Sequence, residues 1–493
     1  MDDVVTIEDA LSTRAQKERA AQAGQPMYAS RVKVHPKEIG GTYRRLKWAV
    51  LIVLLAIYYV VPWIRWDRGP DAPDQAVLAD IVNGRLYFFF IEIWPQEVYY
   101  LTGLLILGAV GLFLVTSLAG RVWCGYTCPQ TVWTDLFMWV ERLIEGDRNA
   151  RVRLDNAPMS AAKLGKRSLK HAVWLVIAAA TGGAWIMYFN DAPTVVGNVF
   201  TGQASTGVYF FVGLFTATTY LLAGWAREQV CTYMCPWPRF QAAMFDEDTL
   251  IVTYEKWRGE PRGRHQKGQA AEALGDCVDC NLCVAVCPTG IDIRDGQQLE
   301  CIGCALCIDA CNSVMAKVGR PLNLITYDTT RNQEALAAGA PVPKYRLARP
   351  RTVLYSLLLL IVAGLMLWSL AFRASLDINV LHDRNPLFVT LSDGSIRNGY
   401  TIKILNKTLE GRAYLLGIEG LSAPRLTVVG QEGEGADNAI LEAEADSVAS
   451  YRIYLRLPRE AVTGDSLTFT FTLTDPDSGD VVYNETVFRG PKP

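Results

Sequence analysis

The chain runs to 493 residues, half of them hydrophobic, with a mean hydropathy of +0.13 and a formal net charge of −2. That size leaves room for two or three domains. The apolar balance points to membrane spans, and without a basic excess nucleic acid is excluded as a partner.

The first 30 residues are polar and lack an apolar core followed by a cleavage site. They predict a poorly ordered tail rather than a secretory signal. A first span is expected over 48–64 (WAVLIVLLAIYYVVPWI), bracketed by Lys47 and Arg65, with Pro62 near its end where a lost backbone bond matters least. A second is expected over 98–119, and behind it stands WCGYTCPQTVW, residues 123–133, with Cys124 and Cys128. After Pro129, the residues Val132, Leu136, Val140 and Leu143 form an apolar stripe beside Glu141 and Arg142, the pattern of a helix lying along a membrane surface. Spans three and four are expected over 172–189 and 207–226. Behind the fourth comes VCTYMCPWPRF, residues 230–240, with Cys231 and Cys235. A fifth span is expected over 353–372.

Both cysteine segments share the pattern C-x-Y-x-C-P just past a Leu-Ala-Gly. Cysteines four apart fall on one helix face, and Pro129 and Pro236 suit the first turn of the segment that follows. One cysteine at a helix end is an ordinary packing residue. The same register twice points instead to a metal or redox site made of Cys124, Cys128, Cys231 and Cys235. Thiolates favour Cu(I), and Met234 adds a soft sulfur; a third iron–sulfur cluster on the same ligands stays open.

CVDCNLCVAVCPTG (277–290) and CIGCALCIDAC (301–311) follow. In this pattern each C-x-x-C-x-x-C run wraps one cubane and its fourth cysteine ligates the other. One 4Fe–4S cluster is thus expected on Cys277, Cys280, Cys283 and Cys311, a second on Cys301, Cys304, Cys307 and Cys287. Pro288 fits the usual residue after the fourth cysteine, and Asn312 departs from it. Zinc also takes C-x-x-C pairs, but a third cysteine at the same step and a fourth crossing over, both repeated, favour two clusters. All twelve cysteines are then ligands or redox groups, not disulfides.

The histidines, His35, His171, His265 and His382, offer no axial pair inside a span, so haem is not expected. His35 and His171 read as solvated residues at the membrane edge. No G-x-G-x-x-G follows a strand, so a bound nicotinamide is not indicated.

Nine Lys or Arg residues lie in 1–47 and nine in 121–170, whereas 66–97 holds two against six acids and 191–206 holds none. The positive-inside rule puts the N-terminus in the cytosol. Five spans then leave 227–351 cytosolic and the last 120 residues on the far side. Those residues alternate in short segments (NGYTIKILN, GRAYLLGIE, RLTVV, VASYRIYLRLP, SLTFTFTLT, VVYNETVF), which predicts an immunoglobulin-type β-sandwich that docks or stabilises without chemistry. The N-x-T triplets at Asn406 and Asn484 read as chance matches to the glycosylation pattern.

The expected fold is a multidomain membrane protein: an α-helical bundle of five spans, an inserted ferredoxin-like domain with two 4Fe–4S clusters, and a C-terminal immunoglobulin-like β-sandwich. Its divisions are a cytosolic tail (1–47), a membrane part with four spans and both C-x-Y-x-C-P motifs (48–255), the cytosolic ferredoxin-like domain (256–350), the fifth span (351–373) and a periplasmic sandwich (374–493).

With these residues in place, the chain resembles the CcoG (FixG/RdxA) family of cytochrome c oxidase accessory proteins. The likeness covers nearly the whole length beyond the tail: GTYRRLKW, PWIRWDR, GRVWCGYTCPQTVWTDLFMWVERLIEGDR, CTYMCPWPRFQ, both ferredoxin runs and the β-rich end. GRVWCGYTCPQTVW is its most specific piece. The resemblance implies a bacterial inner-membrane protein that reduces Cu(II) to Cu(I) for maturation of the cbb-type haem–copper oxidase. Its implied partners are a cytosolic electron donor, the copper ion, oxidase assembly factors and the lipid bilayer. Two other readings stand beside it. One is a membrane polyferredoxin relay that binds no copper, like subunits serving nitrate or nitrous oxide respiration; the other is an assembly scaffold. The S-G-A-T-type covalent flavin motif of the nitrous oxide branch is missing from the sequence.

Overall fold

A computed structural model describes residues 33–69, 72–263, 274–408, 410–431 and 436–491. The expected poorly ordered tail, residues 1–30, and His265 lie outside them. Among the described residues, five helices are long and apolar enough to cross a membrane: Thr42–Trp63, Pro95–Ala119, Ala161–Met187, Thr206–Ala226 and Pro350–Ala371. At most 39% of the apolar window of any of them is buried, and none in the fifth. So much uncovered apolar surface is stable only in a lipid solvent.

Two of these helices start ahead of their apolar stretches, for identifiable reasons. The third starts at Ala161, about three turns early, because Arg167 and Lys170 on the extra turns pair with Asp155, Glu145 and Glu141. The first starts at Thr42, where the Asp309 carboxylate accepts from the N–H groups of Tyr43 and Arg44 at 3.3 and 2.8 Å. A carboxylate there satisfies two unpaired donors and faces the positive end of the helix dipole. The second helix stops at Gly120, φ +58°, where a Cβ would lie 2.7 Å from the Leu250 carbonyl oxygen.

By internal contacts the chain forms two units, Met1–Leu55 with Leu112–Gly182 and Gly213–Val353, and Ala56–Gly111 with Gly183–Val212 and Leu354–Pro493. Each change of unit falls within one of the five apolar helices. In the second unit, β1 (Val77–Asp80), β2 (Arg85–Phe88) and β3 (Ile91–Ile93) form an antiparallel sheet. Its strands are too short and too interrupted by Asp and Gly to announce themselves in sequence. In the first unit, β4 (Ile251–Tyr254) pairs antiparallel with β5 (Ile325–Asp328), Val252 opposite Tyr327.

The C-terminal part of the second unit is an immunoglobulin-like sandwich of antiparallel sheets. Strands β6 (Leu376–His382), β7 (Val389–Thr390), β8 (Ile396–Asn406), β10 (Arg425–Val428) and β12 (Ser447–Leu457) form one sheet, in the order β10-β12-β8-β6 with β7 on β8. The other, in the order β11-β9-β13-β14, holds β9 (Arg412–Glu419), β11 (Ala439–Ala443), β13 (Ser466–Thr474) and β14 (Val481–Arg489). Alternate residues of both face inward, so that Tyr400, Tyr414, Phe471 and Phe488 are buried together. Asn406 is buried as well, its amide donating to the Glu410 and Glu444 carbonyls at 2.8 and 2.9 Å. Asn484 donates to the Ile378 carbonyl at 3.1 Å. Both amides are structural.

Candidate metal centres

The two ferredoxin runs take the same backbone course. Asp279 and Gly303 have φ of +51° and +68°, and Asn281 and Ala305 have +56° and +60°. Left-handed residues at these steps turn successive N–H groups inward, the geometry that stabilises sulfur anions. The N–H groups of Gly303 and Leu306 donate to the sulfurs of Cys301 and Cys304, that of Val284 to Cys283, and that of Ile325 on β5 to Cys311. The helix Leu282–Val286 ends ahead of Pro288, whereas Leu306–Val318 runs on through Asn312, a position proline would break. Asn312 instead exchanges hydrogen bonds of 3.0 and 2.7 Å with Asn323.

Two cavities lie between these runs. Cys277, Cys280, Cys283 and Cys311 line one, with Tyr254 and Arg294 in its wall. Cys287, Cys301, Cys304 and Cys307 line the other with Val252 and Ile302, and Cys283 also reaches it. The fourth cysteine of each run therefore faces the other run's cavity. Both cavities are small, about 20 Å³ each. Burial pushes the thiol of Cys283 up to about 11 and those of Cys301 and Cys311 up to about 12. Such thiols ionise only where a cationic group takes up the charge, which suits thiolate ligands of an iron–sulfur core. Arg294, which the sequence does not single out, holds the first loop by pairing with Asp279 and Asp292, both at 2.6 Å.

The outer cysteines are arranged differently from expectation: neither pair shares one helix face. The helix Val122–Tyr126 ends before Cys128, and the wide turn Val230–Met234 ends at Cys235. Cys128 (φ −56°, ψ 128°) and Cys235 (φ −80°, ψ 121°) are both extended, because each precedes a proline and is driven out of the helical region. In both motifs the N–H of the second cysteine bonds the carbonyl five residues back, Trp123 at 2.9 Å and Val230 at 2.8 Å. The sequence repeat is thus a backbone repeat.

The four thiols are nevertheless electrostatic neighbours. Burial first pushes Cys124 and Cys231 up to about 12; Cys128 and Cys235 push on both, and Cys124 on Cys231, while Arg121 and the Gln241 hydrogen bond work the other way on Cys124. The Cys124 thiol donates to Gln241 Oε1 at 3.3 Å. Cys235 is exposed and Met234 is 62% exposed, so the group is closed on the Cys124 side and open at Cys235. Among the described residues, no group of three or more His, Cys, Asp or Glu side chains is arranged to hold a metal ion. Neither the eight ferredoxin thiols nor Cys124, Cys128, Cys231 and Cys235 are drawn in to the spacing of a single ion.

The first outer motif packs directly on the loop Ile302–Cys304, which lines the inner of the two cavities, that of Cys287, Cys301, Cys304 and Cys307. A Cβ on Gly125 would lie 2.9 Å from the carbonyl oxygens of both Ile302 and Gly303 and 3.0 Å from Cys304 Cα. The Tyr126 hydroxyl donates to the Cys304 carbonyl at 3.2 Å, and the Tyr327 hydroxyl donates to that of Gly303. Arg121, likewise silent in the sequence, donates to the carbonyls of Leu299, Cys301 and Pro238, the last two at 3.0 and 2.7 Å. Cys124 and Cys231 pack against an apolar cluster that includes Ile302 and Cys304.

In the helix behind the first motif, Pro129–Glu145, Val132 and Val140 of the expected stripe are buried, but Leu143 is exposed and the acids Asp135, Glu141 and Glu145 are buried as well. Glu141 meets Arg227, Arg151 and Lys170 at 2.7, 3.0 and 3.5 Å, and Asp135 meets Arg44 at 2.8 Å. These partners come from other segments, so the acids turn inward. The two histidines read as solvated are engaged too: His35 pairs with Asp155 at 3.0 Å and His171 bonds the Tyr220 hydroxyl at 2.8 Å.

Three family models match: a 4Fe-4S dicluster domain over 226–330, a 4Fe-4S binding domain over 101–146, and the IG-like fold at the C-terminal of FixG over 366–491. Nitrogen fixation protein FixG of Rhizobium meliloti is 51% identical over 491 residues, covering 94% of each chain. Proteins RdxB and RdxA of Cereibacter sphaeroides are 48% and 47% identical over 94% of this chain and 97% and 99% of their own. A crystal structure of a FixG-related protein from Vibrio parahaemolyticus aligns with 24% of this chain and 96% of its own, at 24% identity and a TM-score of 0.20. The chain is a membrane-embedded iron–sulfur protein, and it belongs to the FixG family.

Proposed function

We propose that the protein is a membrane-bound one-electron relay that reduces Cu(II) to Cu(I) at Cys124, Cys128, Cys231 and Cys235. The observation that carries this is the contact of Gly125 and Tyr126 with Ile302–Cys304, which joins the outer thiols to the inner cavity through one short stretch of backbone. Cubanes held by thiolates store and release single electrons. In this reading Cys277, Cys280, Cys283 and Cys311 hold one, and Cys301, Cys304, Cys307 and Cys287 the other.

The outer thiols supply what the second half of the reaction needs. Soft sulfur ligands bind Cu(I) in preference to Cu(II), so they favour the reduced product. Cys235 at the open edge gives the ion a way in, and the half-buried Cys124 and Cys231 form the wall against Ile302 and Cys304. Gln241 orients the Cys124 thiol and accepts its hydrogen bond until metal binding displaces the proton. Met234, exposed as it is, is the weakest member of the ligand set proposed from the sequence.

The topology belongs to the same proposal: cytosolic N-terminus and ferredoxin runs, periplasmic sandwich, in a bacterial inner membrane. The Lys and Arg distribution supports it. A cytosolic electron donor and cbb-type oxidase assembly factors are the proposed partners.

A second reading keeps the relay and places a third 4Fe–4S cluster on the outer thiols. It is favoured by the 4Fe-4S binding-domain match over 101–146, which takes in Cys124 and Cys128. Metal analysis of the purified protein separates the two. The copper reading expects about eight irons per chain and copper binding that Cys124→Ser abolishes; about twelve irons would favour the third cluster.

A further inference from the structure

The ferredoxin part carries a cleft that neither set of cysteines accounts for. It measures about 350 Å³ and is lined by β4, Lys256, Trp257, Gly296, Gln297 and the helix Thr330–Ala337. Volumes of this order suit small ligands rather than protein faces. Its floor is also the wall of the cluster cavities. Val252 and Tyr254 of β4 are buried, Val252 lining the cavity of Cys301 and Tyr254 that of Cys277. All four residues of β4, Ile251 to Tyr254, also line the cleft.

We infer that this cleft binds the isoalloxazine ring of a reduced flavin nucleotide, which delivers its electrons across β4. Trp257, 46% exposed, offers an aromatic face for the ring, and Lys256 beside it offers a cation for the nucleotide phosphate. Gln297 and Thr330 add hydrogen-bonding groups for the ring's polar edge. Only the strand β4 separates the cleft from the cavities, Val252 and Tyr254 lining both. The flavin class follows from electron count: each cubane takes one electron, reduced nicotinamide gives up a hydride, and flavins also give electrons singly. One dihydroflavin loses two electrons and two protons. Each oxidised cubane gains one electron, the protons leave to water through the open cleft, and no bond to the protein forms or breaks.

The inference rests on the relay reading only in taking the two thiol cavities as cluster sites. Its test uses the full chain purified in detergent, with iron content measured for each variant. Flavin mononucleotide should bind saturably, read by quenching of its own fluorescence. Trp257→Ala should weaken binding roughly tenfold or more, the cost of losing one aromatic stack. Lys256→Glu should weaken binding of flavin mononucleotide and leave riboflavin unaffected. Mixed anaerobically with the oxidised protein, reduced flavin mononucleotide should bleach the cluster absorbance at a saturating rate. The variants should raise the half-saturation point while dithionite reduces all proteins alike. Binding equal in both variants, or bleaching that stays linear in flavin and identical in the variants, overturns the inference. The copper experiment, which starts from dithionite-reduced protein, would stand unaffected by that failure.

Discussion

Gly125 lies so close to Gly303 that an added Cβ would meet the Gly303 carbonyl oxygen at 2.9 Å. The atoms in the way are backbone, held in turn by the Tyr126, Tyr327 and Arg121 side chains. Gly125→Ala must therefore push the outer motif off the inner cluster loop, at a cost of about 1–3 kcal/mol. The expected result is unchanged iron content, a lower melting temperature and slower reoxidation of the reduced protein by Cu(II). Reoxidation at the native rate would remove this contact from the electron path.

The crossing of fourth cysteines makes a sharp expectation. Cys287 follows the first run in sequence but lines the cavity of Cys301, Cys304 and Cys307. Cys287→Ala should lower iron from about eight to about four per chain and spare the cluster of Cys277, Cys280, Cys283 and Cys311. Electron paramagnetic resonance of the reduced variant checks which signal survives. Loss of the other cluster would reverse the assignment.

Glu141 should set an acid limit on stability. Burial works against its charge, but Arg227, Lys170 and Arg151 outweigh it and hold the carboxyl down to about 2. A depressed carboxyl stabilises the fold above its unfolded value near 4.5, and that contribution fades as pH falls toward about 2. Glu141→Gln should cost about 3–5 kcal/mol at neutral pH by leaving buried cations unpaired. It should also flatten the decline in melting temperature between pH 4.5 and the acid limit. A variant as stable as the native protein at pH 7 would show the cations finding other partners.

Those acids mark where the sequence stops being legible. The stripe Val132, Leu136, Val140 and Leu143 has helical spacing, and the helix is there with Val132 and Val140 buried; the burial of Asp135 and Glu141 depends on Arg44, Arg151, Lys170 and Arg227 from distant segments. Spans, cluster runs and sandwich could be seen because hydropathy, C-x-x-C spacing and alternation are local signals. Arg121 and Gln241 could not, since their partners stand more than a hundred residues away. The two outer motifs stand out by repetition, yet their cysteines leave a common helix face because Pro129 and Pro236 drive Cys128 and Cys235 into extended backbone.

Topology has its own check. Reporters fused after Pro493 should be active only in an oxidising, extracytoplasmic compartment, and reporters placed after Arg262 only in the cytosol. Both follow from the nine basic residues in 121–170 against none in 191–206. A cytosolic reporter active at Pro493 would invert the scheme.

The relay is tested most directly by the double variant Cys124→Ser with Cys231→Ser. Those two thiols form the half-buried wall of the outer group, next to Ile302 and Cys304, and neither lines the cavities of the eight ferredoxin cysteines. The measurement is the rate at which Cu(II) reoxidises dithionite-reduced protein, followed by return of the cluster absorbance, with iron counted before mixing. The expected result is about eight irons retained, copper binding lost and reoxidation by Cu(II) abolished. Reoxidation at the native rate in a variant that keeps all its iron would contradict the assignment of copper to the outer thiols.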